Sequence, residues 1–158
     1  MDPDVLDSSI EEDCSITWYG ASITGQIGVF ISGGTRIHKV AKRSWRLQGV
    51  CHEYFRSQRA SSEGLTHSDS FSHYSALMGK KGAKQLMARY REMAERGLFV
   101  FLATSGSNGE EHPYRKLLSP ERGLSLESTD PQIGSYLDRV RVDMDFSEGE
   151  VVPQSDIA

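Results

Sequence analysis

At 158 residues and 37% hydrophobic content, the chain has apolar material for one core, and a multidomain arrangement is not expected. Its mean hydropathy is −0.46, and no apolar run approaches the roughly 20 residues needed to span a bilayer, which argues against a membrane-spanning helix. The formal net charge of −4 conceals a segregation: residues 1–13 hold six acids and no base, residues 36–96 thirteen bases and five acids, and residues 110–158 eleven acids and five bases.

A basic centre between acidic ends has two readings. It is either a polyanion-binding surface, for RNA or an anionic membrane, whose grip the acidic ends moderate, or a set of ordinary solvated helix faces. Cys14 and Cys51 have no CxxC or Cys/His companion, so neither a disulfide framework nor a zinc site is indicated and a reducing compartment fits. The start, MDPDVLDSSIEED, is acidic where a secretory signal would be basic and then apolar, so a soluble intracellular protein without a signal peptide is expected.

In chain order, residues 1–13 lack aromatic side chains and read as a flexible acidic tail. Residues 14–31, CSITWYGASITGQIGVFI, mix β-branched and aromatic residues with glycines and predict a hairpin that turns near Ser22 to Gly25. Gly20, Gly25 and Gly28 form neither a P-loop nor a GxGxxG fingerprint and read as turn glycines. Gly33 and Gly34, with Thr35 as N-cap, lead into one long predicted helix reaching Phe55; they either offer backbone N–H groups to a phosphate or make a plain turn. On that helix Ile37, Val40, Ala41, Leu47, Cys51 and Phe55 share one face, while Arg36, Lys39, Lys42, Arg43 and Arg46 crowd the other.

Residues 57–70 have the composition of an exposed loop. A second helical region follows, with Phe71, Tyr74, Leu77 and Met78 on one side, an interruption at Gly79 and Gly82, and then Ala83, Leu86, Met87, Tyr90, Met93 and Ala94 at helical spacing up to a Gly97 cap. Lys80, Lys81 and Lys84 gather at the interruption, where positive charge opposes the dipole of the resuming helix, so they serve either an external anion or solvent. Residues 98–104, LFVFLAT, predict a central buried strand beside the hairpin. A long loop reaches Gly123, Gly123 to Glu127 predict a short strand, and the alternation of Tyr136 to Phe146 predicts a half-exposed strand. Residues 147–158 read as a second flexible acidic tail. The expected fold is therefore a single α+β domain over residues 14–146, an antiparallel sheet packed against two main helices.

Catalytic motifs are missing from the linear sequence. His38, His52, His67, His73 and His112 fall on different elements, with no HExxH and no Gly-x-Ser-x-Gly elbow, and His52 and Glu53 are helix neighbours that do not face each other. A non-enzymatic protein without metal or cofactor is expected. Its candidate anion-binding residues are Arg36, Lys39, Lys42, Arg43, Arg46, Lys80, Lys81 and Lys84. Trp18 and Trp45 either stack on a base or pack in the core.

The layout of residues 14–146, with a strand ITGQIGVFIS, then helices bearing aromatic and basic residues, then further strands, resembles the matrix proteins of rhabdoviruses, especially those of plants. The resemblance implies a structural protein of the virion and host cytoplasm that binds ribonucleoprotein, attaches peripherally to an anionic membrane and self-associates as a homo-oligomer. The chain departs from that family in having His112-Pro113-Tyr114 instead of a Pro-Pro-x-Tyr motif and in lacking a basic N-terminal tail. A shorter stretch, a strand leading into Ser32-Gly33-Gly34-Thr35-Arg36 and a helix, resembles the tombusvirus suppressor of RNA silencing and implies the alternative of a small duplex-RNA-binding regulator, with Trp18 or Trp45 capping the duplex end.

Overall fold

The structure, a computed structural model, describes residues 4–7, 15–33, 37–61, 63–103, 113–152 and 157. Strands β1 (Thr17–Ala21) and β2 (Ile27–Ile31) form the expected antiparallel hairpin. Its turn is tied by the Ser22 hydroxyl, which accepts from the backbone N–H of Thr24 and Gln26, and it passes through Gly25 at φ 86°, in the left-handed region that glycine adopts without steric cost.

The long helix expected as far as Phe55 is two helices, α1 (Lys39–Arg43) and α2 (Trp45–Ser57), broken at Ser44 with φ −126° and ψ 47°. The Ser44 hydroxyl bonds back to the Val40 carbonyl and lies 2.6 Å from the Tyr136 hydroxyl, a local alternative to helix continuation. The break divides the apolar stripe: Ile37, Ala41, Cys51 and Phe55 are buried, whereas Leu47 is exposed. The following stretch, expected as a loop, contains the short strand β3 (Gly64–Thr66) and leads into α3 (Ser68–Glu95). Helix α3 has the expected interruption at Gly79 but runs through Gly82, and Gly97, at φ 96°, ends it as the left-handed cap.

Strand β4 (Phe99–Leu102) is fully buried and lies in the middle of the sheet, as the apolar run predicts. The stretch after it, expected as loop up to Gly123, yields β5 (Tyr114–Pro120); its Arg and Lys residues and its Pro hide a strand in which Tyr114, Leu117 and Leu118 are buried. The predicted strand at 123–127 reduces to one bridge, Gln26 to Ser125, before a 3-10 turn at Leu126–Ser128. The predicted strand at 136–146 is replaced by α4 (Pro131–Leu137) and a segment of turns and bends. Asp130 caps the first N–H groups of that helix and Pro131 supplies its first turn. The alternation of burial survives, with Val140, Val142 and Phe146 inside, but the segment forms only one bridge to the sheet, between Ala21 and Arg141.

The fold is α+β, and its sheet is mixed where an antiparallel one was expected. The order is β1-β2-β4-β5-β3, with β6 (Val151–Val152) also pairing with β5, and β2 runs parallel to β4 because two helices, a strand and a third helix separate them. Partners in register share a face, and one face carries a stack of Trp18, Phe30 and Phe101 with centroid spacings of 4.2 and 4.8 Å. Phe146 packs edge-on against Phe30 and Phe101, at 5.8 and 5.0 Å. Gly20 and Gly28, opposite each other in the hairpin, make that approach possible: a Cβ on Gly28 would lie 2.9 Å from the Phe146 ring and one on Gly20 3.0 Å from the Val140 carbonyl. On the other side, Tyr19 stacks on Phe55 of α2.

The free edge of β1 is closed without another strand. The buried Gln48 amide accepts from the Tyr19 N–H at 2.7 Å and donates to the Tyr19 carbonyl at 2.9 Å, as a neighbouring strand residue would. The segments expected as tails also contribute packing. Leu6 is buried and its N–H donates to the Lys42 carbonyl, the Trp45 N–H donates to the Asp4 carbonyl, and Val152 and Ile157 are buried at the other end. Among the described residues no helix is long and apolar enough to cross a membrane.

Candidate functional site

Of the eight basic residues expected to form an anion-binding surface, Arg36 lies outside the described residues, as do Gly34 and Thr35 of the possible phosphate turn. The other seven fall into two groups on helices packed at opposite ends of the strand order, α1 and α2 against β1, and α3 against β3, β4 and β5. In the first group Lys39, Arg43 and Arg46 are exposed and Lys42 is half-buried. The Arg46 Nε sits 3.0 Å from the Asp4 carboxylate, so an acid already occupies part of this face.

The second group surrounds the interruption of α3. Gly79 has φ 81° and ψ 161°, a conformation essentially confined to glycine, and it turns the chain between two helical halves. Lys80, Lys81 and Lys84 are exposed, and no acid occurs between Asp69 and Glu92. Beside these lysines Leu77 and Met78 are 63% and 45% exposed, so apolar and cationic side chains share one short surface segment. Trp18 is fully buried with its Nε1–H on the Tyr114 hydroxyl at 3.1 Å, and it is therefore withdrawn from any base. Trp45 is half-buried against the core.

A third constellation escapes linear reading because three separate elements build it. His67, at the junction of β3 and α3, donates its backbone N–H to the Leu117 carbonyl, which puts Ser119 diagonally across the strand pair. The His67 Nε2 and Ser119 Oγ are 2.5 Å apart, and Glu150, just before β6, brings its carboxylate to 3.9 Å from His67 Nδ1. The β4–β5 register slips between Val100 and Phe101, and this bulge directs both Lys116 and Ser119 to the side that carries Phe99. His67 and Ser119 open on a groove of about 510 Å³, walled by Phe99, Pro120 and Leu124, with Thr24, Ser125 and Ser147 at its polar margin.

Lys116 is buried beneath this region, its Nζ donating to the Phe146 carbonyl at 2.7 Å, and burial pushes its pKa down. Burial, reinforced by the nearby Lys116 cation, likewise holds the His67 imidazole below its ordinary pKa against the opposing effect of Asp69, so it is neutral at pH 7. A neutral imidazole can accept the hydroxyl proton of Ser119. Sequence reading missed the pair because it treated both segments as loop. The pairing of residues 64–66 with 118–120 has no short-range signal. His38 and His52 serve the core: His38 Nδ1 caps α1 by accepting from the Val40 N–H, and His52 Nδ1 meets the Tyr19 hydroxyl at 2.9 Å. Among the described residues no three His, Cys, Asp or Glu side chains converge as metal ligands would.

No known protein family matches the chain, and neither a curated protein nor a solved structure matches it.

Proposed function

We propose that the chain is a peripheral, matrix-like binding and assembly protein that docks on an anionic membrane through the interrupted segment of α3. The observation that carries this reading is the exposure of Leu77 and Met78 beside Lys80, Lys81 and Lys84 in a stretch free of acids. Lysines near an anionic leaflet contribute about 1 kcal/mol each, and apolar side chains add roughly 25 cal/mol per Å² withdrawn from water. An RNA backbone would engage the lysines but would leave the exposed Leu77 without a partner. The α1–α2 group, partly covered by Asp4, would then carry the ribonucleoprotein, and copies of the chain would associate at the membrane.

Co-sedimentation with phosphatidylserine-containing vesicles tests the docking. Binding should weaken with added salt, and the variant carrying Lys80→Ala, Lys81→Ala and Lys84→Ala should lose most of it. Leu77→Ser with Met78→Ser should weaken binding while retaining its salt dependence. Equal binding by the wild type and the lysine variant would overturn the reading. Salt-sensitive duplex-RNA binding without vesicle binding would favour the alternative of an RNA-binding regulator.

A further inference from the structure

The groove lined by His67 and Ser119 is not needed for docking, and its chemistry is of a different kind. We propose that it is a hydrolytic site for small neutral carboxylic esters, with Ser119 as nucleophile, His67 as general base and Glu150 as the positioning carboxylate. The geometry carries the assignment. The Ser119 Oγ and His67 Nε2 are 2.5 Å apart, within reach of direct proton transfer, and the Glu150 carboxylate lies 3.9 Å from the opposite ring nitrogen. With its proton on Nδ1, towards Glu150, the imidazole presents Nε2 as an acceptor. The same two side chains border the groove, so a bound ester would meet the hydroxyl directly.

The groove also defines the substrate class. Phe99, Pro120 and Leu124 offer an apolar wall for an acyl chain, and Glu121 in the lining disfavours an anionic substrate. In the first step the Ser119 oxygen bonds to the ester carbonyl carbon while its proton passes to His67 Nε2. The tetrahedral adduct then collapses, the carbon–oxygen bond to the alcohol breaks, and the departing alcohol takes the proton from His67. Water attacks the resulting acyl-serine, giving one proton to His67. Release of the carboxylic acid returns that proton to Ser119. Water is the only co-reactant.

A fluorophosphonate reagent, whose phosphorus forms a bond to an activated serine oxygen as fluoride leaves, tests the site in the full chain. Peptide mass analysis should locate a single adduct on Ser119. His67→Gln should slow labelling by about 100-fold or more, the scale of a lost general base. The rate should rise with pH to a half-point below the ordinary histidine range, held there by burial first and by the Lys116 cation, against Asp69. Glu150→Gln should move that half-point lower, because a lost carboxylate leaves the imidazolium less favoured. The site of the adduct on wild-type protein decides the matter even if a variant fails to fold. No adduct, an adduct on another serine, or an unchanged rate in folded His67→Gln would overturn the proposal. These outcomes are independent of vesicle binding.

Discussion

Gly28 shows how much of this fold rests on a missing side chain. It lies between Ile27 and Val29 in a hairpin that the β-branched and aromatic residues predict, and composition alone makes it a turn glycine. In the structure it lies within β2, facing the Phe146 ring, and the space for that ring exists only because Gly28 has no Cβ. Gly28→Ala is expected to push the ring off its seat against Phe30 and Phe101 and to cost about 1–3 kcal/mol, measured as a lower urea midpoint with an unchanged slope. The contact joins residues 118 positions apart in sequence, which is why the reason for the glycine could not be read locally. The same holds for Gln48, whose polar side chain on an otherwise apolar face becomes intelligible only beside the free edge of β1.

At the scale of elements, local signals performed well where they were strong. The hairpin, the buried β4 and the Gly97 cap follow from β-branched content, a continuous apolar run and the left-handed freedom of glycine. They failed where tertiary contacts override them. The alternating run 136–146 keeps its buried and exposed sides but begins in a helix, because Asp130 and Pro131 form a start signal stronger than the alternation. The β5 strand was obscured by Arg115 and by Lys116, whose burial depends on carbonyls supplied from 146 and 147. The interruption of α3 was legible from Gly79 itself. Gly79→Ala has open space for its methyl group but not for its backbone, and it should cost about 1–3 kcal/mol or straighten the segment. Hydrogen exchange on residues 75–84 separates the two outcomes. Straightening would also displace Leu77 and Met78 from Lys80 and Lys81, so vesicle binding should fall with it.

At the scale of the whole molecule, the buried acids of the core predict a loss of stability at alkaline pH. Burial pushes the Cys51 thiol from 9.0 up to about 12 and the Tyr74 phenol from 10.0 up to about 12, and it raises Tyr19 further. The unfolded chain releases these protons at lower pH than the folded one. Their contribution to stability is therefore complete below about pH 8 and declines as pH rises through 9 towards 12. Urea midpoints should fall between about pH 8 and about pH 11, and a Cys51→Ala, Tyr74→Phe variant should show a flatter decline.

The amino-acid sequence by itself determined the class of fold, the separation of basic and acidic stretches, the hairpin, the central strand and the point at which α3 breaks. Each of these follows from residues within a few positions of one another. The tertiary structure alone decided that β2 and β4 run parallel, that the basic residues divide between two ends of the sheet, and that His67, Ser119 and Glu150 meet across one groove. The difference is physical. Periodicity and turn chemistry act along the chain, whereas strand register, burial of charge and the meeting of distant side chains are fixed only when the whole core closes.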